Sequence, residues 1–185
     1  MATDNEIFDD AFVSAVDEFF SSAKLVVILG IGNELNGDDA VGLYVTKRLQ
    51  SEKSFPEWVH IFYCEKAPEH FLGKIYKLQP NRVLVLDAAN MDAPPGSIAI
   101  IPKEIIWGGY NFSTHTLSLT LLEEFLGRSS TSSDTDFQMM FIGIQPKQMI
   151  FDTPLSVECK EAAEELSTFL INRIKLADSK RKSTN

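Results

Sequence analysis

Residues 25–30 form an uninterrupted apolar run, Leu-Val-Val-Ile-Leu-Gly, that is rich in β-branched side chains. A strand with one face in solvent would alternate apolar and polar residues, so this run is typical of a strand buried on both faces. Such strands occur in the middle of parallel sheets that helices cover on both sides. The run therefore favours an α/β architecture.

Strand-like and helix-like segments alternate along the rest of the chain. This alternation predicts a three-layer α/β sandwich whose central, twisted, five-stranded sheet is mostly parallel, with helices on both faces. Residues 88–96 are too few for a crossover helix and contain Pro-Pro-Gly, so the fourth strand should run antiparallel to the third. The predicted strands are residues 25–30, 58–63, 82–86, 97–101 and 139–144, and the predicted helices are 41–52, 68–78, 114–126 and 155–175.

The chain divides into a main domain and two end segments. We expect residues 1–24 to be an amphipathic helical extension, residues 25–176 the α/β domain and residues 177–185 a polar tail. Apolar residues at helical spacing predict a helix over about residues 6–21, with Asp4 or Asn5 as its N-cap. Either packing on the domain or binding to a partner or second copy would explain its apolar face.

The composition is that of a globular protein and excludes several functions. The chain has 185 residues, of which 44% are hydrophobic, and no apolar run reaches the length of a membrane span. Because 17 Lys and Arg stand against 26 Asp and Glu, the net charge of −9 argues against a nucleic-acid partner. Two cysteines cannot build a disulfide framework, and no secretory leader is evident, so a cytoplasmic location is expected.

The loop after the first strand contains glycines but is not a phosphate-binding loop. Gly30-Ile-Gly32 lacks the third glycine of a dinucleotide-binding motif, and no Gly-Lys-Ser/Thr follows it. Asp38 and Asp39 lie at the start of the next helix, where their carboxylates would repel a phosphate. The two aspartates either cap that helix or bind a cation.

Further acidic and imidazole side chains occur where open α/β sheets bind ligands. Asp38 and Asp39 follow the first strand, and Asp87 closes the apolar third strand. These strands would be neighbours in a doubly wound order, so their carboxylates would converge. His115, near a helix start, would complete a set suited to zinc, nickel or cobalt. Alternatively, Asp87 caps a turn and His115 is a polar surface residue.

Other hydrolytic motifs are missing from the sequence. It contains no HExxH, which excludes a zincin, and no GxSxG nucleophile elbow. Cys64 follows the second strand and could act as a nucleophile with His60 or His70. The sequence favours a small buried thiol instead.

Five motifs occur in order: Gly30-Ile-Gly-Asn-Glu-Leu-Asn-Gly-Asp-Asp-Ala-Val-Gly42, Ala67-Pro-Glu69, Leu84-Val-Leu-Asp-Ala-Ala-Asn-Met91 with Pro95-Gly96, Ser113-Thr-His115 and Phe141-Ile-Gly-Ile-Gln-Pro146. Together they resemble the nickel–iron hydrogenase maturation endopeptidases over roughly residues 25–170. The last two motifs are most similar to the branch that serves formate-hydrogenlyase-type hydrogenases. One departure is Tyr63-Cys-Glu-Lys66, where the family commonly has Asp-Gly-Gly.

The resemblance implies an endopeptidase that removes a C-terminal extension from a hydrogenase large-subunit precursor after nickel insertion. The three metal-binding positions of the family fall on Asp39, Asp87 and His115, with Asp38 capping the helix or supporting the ligands. The implied metal is nickel that the precursor carries, with zinc or another divalent ion possible in vitro.

Two other functions fit the same residues. A self-contained metal-dependent peptidase or amidohydrolase would hold its own zinc and cut small peptides or amides. A non-catalytic nickel-binding maturation factor would bind the precursor and leave its mass unchanged. The sequence does not fix the oligomeric state.

Overall fold

The computed structural model describes residues 8–107, 116–129 and 137–184. Its strands are β1 (Val26–Ile31), β2 (Val59–Glu65), β3 (Arg82–Ala88), β4 (Ile98–Ile100) and β5 (Gln138–Ile144). Its helices are α1 (Asp10–Ser21), α2 (Val41–Ser51), α3 (Leu72–Leu78), α4 (Lys103–Trp107), α5 (Thr116–Ser129) and α6 (Val157–Thr184). Short 3-10 turns, Gly37–Ala40 and Pro68–Phe71, lead into α2 and α3.

The five strands form one mixed sheet in the order β2-β1-β3-β5-β4. The first four strands in that order are parallel, and β4 pairs antiparallel with β5 at the edge. The predicted sheet is therefore confirmed, including the neighbouring positions of β1 and β3. The fourth strand runs antiparallel to the third as expected, but β5 lies between them.

Helices cover both faces of the sheet because each strand in its middle is apolar on both sides. All six residues of β1 and all seven of β3 are buried. One core lies between the sheet and α1, α2 and α6, and contains Val16, Val41, Leu84 and Leu166. The other contains Val27, Ile75, Val85 and Leu126, so α3 and α5 cover the opposite face.

Helix α1 begins later than predicted and lies on the domain. Asp9 is its N-cap, and the Asp9 side chain accepts a hydrogen bond of 2.7 Å from the backbone N–H of Phe12. The prediction of a start near residue 6 with Asp4 or Asn5 as cap is thus wrong. The ring of Phe8 packs on Phe12 and on Phe169 of α6, with centroids 4.8 and 4.4 Å apart. Because its apolar side faces α6, α1 is a packed layer of the fold.

Helix α6 continues through the segment predicted to be a polar tail. The Trp58 indole N–H donates to the Asp178 carboxylate at 3.0 Å, and the Arg181 guanidinium lies 3.8 Å from the Trp58 ring centroid. Arg181 also donates to the backbone carbonyls of Phe20 and Ala23. These contacts hold the last turns of α6 against the domain, so the predicted end near residue 175 is wrong.

The remaining boundaries differ by a few residues, and α4 was not predicted. Helix α5 continues to Ser129, beyond its predicted end at residue 126; residues 130–136 lie outside the described part. Within the described ranges, no helix combines the length and the apolar character that crossing a bilayer requires.

Candidate active site

The start of α2 lies directly over the carboxyl ends of β1 and β3. A Cβ atom at Gly42 would be 2.2 Å from the carbonyl oxygen of Leu86 and 2.6 Å from that of Ile31. Only glycine permits so close an approach between a helix and two strands. Gly32 has φ +142°, and a Cβ there would lie 1.8 Å from the Asp39 carbonyl oxygen. The two glycines thus fix the acidic turn against the end of the sheet.

Asp39 is held inside this turn. Its backbone N–H donates to the Asn36 carbonyl at 3.2 Å, and its own carbonyl accepts from the Asn33 N–H at 3.2 Å. The Asn36 amide donates to the Asp39 carboxylate at 3.4 Å. The residue is only 4% exposed, so the fold places a carboxylate in a buried position at the rim of the sheet.

Asp87 lies near the end of β3, also 4% exposed. Its carboxylate accepts a hydrogen bond of 2.9 Å from the N–H of Ala88, and its backbone pairs with Gly143 of β5. The turn that carries Asp39 contacts β3. The structure therefore brings Asp39 and Asp87 to the same edge of the sheet, as their positions after neighbouring strands predicted.

His115 lies outside the described residues. Helix α5 begins at the next residue, Thr116, and packs against the 3-10 turn Pro68–Phe71. In the part of the chain that the structure describes, no three His, Cys, Asp or Glu side chains are grouped so as to hold a metal ion. The complete predicted ligand set thus stays a prediction.

Asp38 has a different role from Asp39. It is fully buried, and its carboxylate accepts from the backbone N–H groups of Lys147, Gln148 and Ser156 at 2.9, 2.9 and 2.6 Å. The Ser156 hydroxyl donates at 2.9 Å as well and accepts from the N–H of Cys159, as an N-cap of α6 does. Asp38 therefore fastens the loop between β5 and α6 and does not cap the helix that follows it.

The hydrogen bonds to Asp38 stabilise its charged form. Burial raises the pKa of the carboxyl, but the N–H donors of Ser156, Gln148 and Lys147 outweigh burial and hold the pKa below its ordinary value. The carboxylate also lies at the N-terminus of α6, where the helix dipole favours a negative charge. Asp38 is thus a structural anion beside the candidate ligands.

Gln145 has a supporting role that the sequence did not reveal. Its side-chain oxygen accepts from the N–H groups of Met91 and Ala93 at 2.6 and 3.4 Å, and its amide donates to Asn90 at 3.3 Å. It thereby ties the loop after Asp87 to the end of β5. The only sequence feature that pointed to Gln145 was its place in the Phe-Ile-Gly-Ile-Gln-Pro motif.

The two cysteines are free thiols in the interior. Burial raises the pKa of Cys64 to about 12, so this thiol stays protonated at neutral pH. Burial also raises the pKa of Cys159. A nucleophilic role for Cys64 is therefore disfavoured, and the buried-thiol interpretation is supported.

The departure from the family motif at the end of β2 has a local cost. Glu65 adopts φ 50°, a left-handed conformation that glycine adopts easily and that disfavours other residues by about 1 kcal/mol. Its carbonyl accepts from the Gly32 N–H at 3.1 Å, which joins this loop to the glycine turn. Burial raises the pKa of the neighbouring Tyr63, and the Glu34 carboxylate raises it further. The loop keeps its contact with the site without a glycine.

The chain is an α/β protein with a five-stranded mixed sheet. Its candidate site contains the buried residues Asp39 and Asp87 and lies at the carboxyl ends of the central strands. The family model for hydrogenase maturation protease, HycI, matches residues 43–173. The chain belongs to the hydrogenase maturation protease family. The endopeptidase assignment that the motifs implied is thereby confirmed.

Individual relatives agree with this assignment. A Methanocaldococcus jannaschii protein named as a hydrogenase maturation protease is 36% identical over 83% of this chain and 90% of its own length. The hydrogenase 3 maturation protease of Escherichia coli K12 is 30% identical over 75% of this chain and 83% of its own. The crystal structure of the maturation protease HycI from Thermococcus kodakarensis superposes with a TM-score of 0.75 at 30% identity, covering 87% of this chain and 99% of that one.

Proposed function

We propose that this protein cleaves the C-terminal extension from the large-subunit precursor of a nickel–iron hydrogenase once that precursor carries nickel. The observation that supports this most directly is the placement of Asp39 and Asp87, two buried carboxylates at one edge of the sheet in a maturation protease fold. A protease that edits a metalloprotein precursor needs both a peptide-cleaving group and a means of sensing the metal. Acidic residues at this rim could serve both needs.

The donor set fits a divalent transition metal. Two carboxylates and the imidazole of His115 would supply oxygen and nitrogen ligands, a combination that nickel and zinc accept. Three protein donors leave coordination positions for the atoms of a substrate. A divalent ion held there would polarise the scissile carbonyl or lower the pKa of a water molecule.

The protein's own residues keep this site in place. Hydrogen bonds to Asp38 hold the loop between β5 and α6 in place, and hydrogen bonds to Gln145 hold the loop after Asp87. The carboxylates of Asp39 and Asp87 are nearly inaccessible to water in the free protein, and this low exposure strengthens their interaction with a cation. Cleavage needs no thiolate, and the raised pKa of Cys64 agrees with this.

In this proposal the nickel belongs to the precursor. Asp39, Asp87 and His115 would bind a metal already held by the substrate, so an unloaded precursor would lack the group they recognise. We also propose a cytoplasmic location, since both cysteines are free.

The test is a mass-spectrometric time course on nickel-loaded and nickel-free precursor. We expect only the loaded form to lose its extension, and we expect zinc added to the enzyme alone to leave the nickel-free form intact. Equal cleavage of both forms would contradict the nickel requirement and favour a self-contained metal peptidase. Binding of the loaded precursor without any change of mass would instead favour a maturation factor that does not cut.

A further inference from the structure

Three large apolar side chains are exposed beside the candidate site. Leu35 is 55% exposed, Ile150 54% and Phe151 72%. They come from two segments far apart in sequence, the turn after β1 and the loop between β5 and α6. We call these three residues the apolar rim. Isolated exposed apolar residues are common on protein surfaces, but a cluster beside a site indicates an interaction surface.

Backbone contacts hold the two segments of the apolar rim together. The N–H of Asp152 donates to the Leu35 carbonyl at 2.8 Å, and the N–H of Asp38 donates to the Gln148 carbonyl at 2.9 Å. A Cβ at Gly37 would lie 2.9 Å from the Gln148 carbonyl oxygen and 3.3 Å from the backbone nitrogen of Ile150. The backbones of the two segments are therefore in direct contact, which fixes the apolar rim as one surface.

The same contacts join the apolar rim to the candidate site. Asp38 accepts hydrogen bonds from the loop that carries Ile150 and Phe151, and its neighbour in sequence is Asp39. Asn36, next to Leu35, donates to the Asp39 carboxylate. Any macromolecule cut beside Asp39 would meet the apolar rim as part of the same surface.

We infer that the apolar rim is the surface on which the folded body of the hydrogenase large-subunit precursor docks while its extension is cleaved at the neighbouring site. This inference rests on the proposed function and adds a specific contact surface to it. The docking energy would come from burying Leu35, Ile150 and Phe151 against an apolar patch of the precursor.

The charges around the apolar rim define the chemistry of the partner surface. Glu34 and Asp152 are exposed and adjoin Leu35 and Phe151, whereas nearby Lys147 is paired with Glu158 at 2.7 Å. The surroundings are therefore acidic, as is the protein, with a net charge of −9. The matching partner surface has an apolar centre with Lys or Arg at its edge. An anionic membrane would be repelled by the same charges.

The test compares steady-state processing of the nickel-loaded precursor by wild type, Phe151→Ser, Leu35→Gln and the control Leu176→Ser. Leu176 is the control because it is also exposed, at 40%, but lies toward the other end of α6. At 1.5 Å per residue it is about 28 Å along the helix from Val157, where α6 begins. We expect KM to rise about tenfold in each rim variant with kcat within about twofold, and both values to stay unchanged in the control. Circular dichroism melting checks that all variants fold.

The outcomes separate this inference from the proposed function. Processing by wild type together with an unchanged KM in folded rim variants would overturn the docking surface and leave the proposed function standing. Absence of processing by wild type would overturn the proposed function itself. Two further results would also contradict the inference: self-association that Phe151→Ser abolishes, and binding of wild type to vesicles rich in phosphatidylserine.

As a second probe, Asp152→Asn removes one acidic group without altering the backbone. Asp152 has φ 59°, a conformation that asparagine tolerates well. We expect slower association with the precursor and a weaker dependence of the association rate on salt, measured by stopped-flow or interferometry. An association rate that is unchanged at low salt would overturn the acidic part of the surface.

Discussion

The two ends of the parallel sheet both bury charge, and they use it differently. At the amino end, the Arg82 guanidinium is buried, donating to the Asn81 carbonyl at 2.8 Å and to the Ser22 hydroxyl at 3.0 Å. The Asn81 side chain accepts from the N–H groups of Lys24 and Leu25 at 2.7 and 3.1 Å. This network joins the end of α1 to the starts of β1 and β3.

At the carboxyl end, three aspartates are buried, Asp38 and Asp39 in the turn before α2 and Asp87 near the end of β3. Asp38 resembles Arg82, because its hydrogen bonds hold a distant segment in place. Asp39 and Asp87 differ, since they bring two like charges to one edge, an arrangement that costs stability unless a cation or donors compensate it. A buried charged residue alone therefore does not indicate a functional site. Several buried residues of the same charge at a ligand-binding edge of the sheet do.

The largest effect should follow from removing any one of the three proposed metal ligands. We expect Asp39→Asn, Asp87→Asn and His115→Ala each to slow processing by about 100-fold or more while the far-ultraviolet circular dichroism spectrum stays unchanged. The exposed Asp10→Asn on α1 is the matched control and should process normally. A variant that cuts nickel-loaded precursor at the wild-type rate would show that its residue is not a ligand in the working complex.

A loss of stability without a loss of activity should follow at the amino end. Replacing Arg82 by Met removes the hydrogen bonds to Asn81 and Ser22 and should lower the free energy of unfolding by about 3 kcal/mol. Urea titration measures this change. Processing per folded molecule should equal that of wild type; a lower kcat in a fully folded sample would mean that the two ends are coupled.

The smallest effect concerns pH and Asp38. Its pKa is lower in the folded protein than the unfolded value of about 3.9. The stabilisation it provides is therefore present above pH 3.9 and is lost as pH falls through the folded pKa. At pH 7, the free energy of unfolding of Asp38→Asn should be about 2 kcal/mol lower than that of wild type. The difference should shrink as pH falls below 4 in urea titrations, and a constant difference from pH 7 to 3 would be inconsistent with this role.

Strong local patterns made the sheet predictable. The apolar runs of β1 and β3 mark strands that are buried on both sides and lie in the middle of a parallel sheet, so their carboxyl ends meet at one edge. Asp39 and Asp87 could be placed together on that basis alone. The sequence could not show which acidic residue would bind a distant loop, because the partners of Asp38 lie 109–118 positions away along the chain.

Tertiary contacts also explain the two misplaced helix ends. Asp4, Asn5 and Asp9 are all good N-caps, and local preference does not select among them. The polar composition at the end of α6 favours a solvated tail, whereas its contacts with Trp58, Phe20 and Ala23 hold it as a helix against the domain. The sequence separation of these partners is far too long for periodicity to reveal.

The packing of α1 on α6 has a consequence for biosynthesis. Phe169 is made roughly 160 residues after its partner Phe8, a delay on the order of 8–32 s at 5–20 residues per second. During that interval the rings of Phe8 and Phe12 lack their contacts with Phe169. The packing of α1 on the domain is therefore completed only after α6 has been made, late relative to the strands that form the sheet.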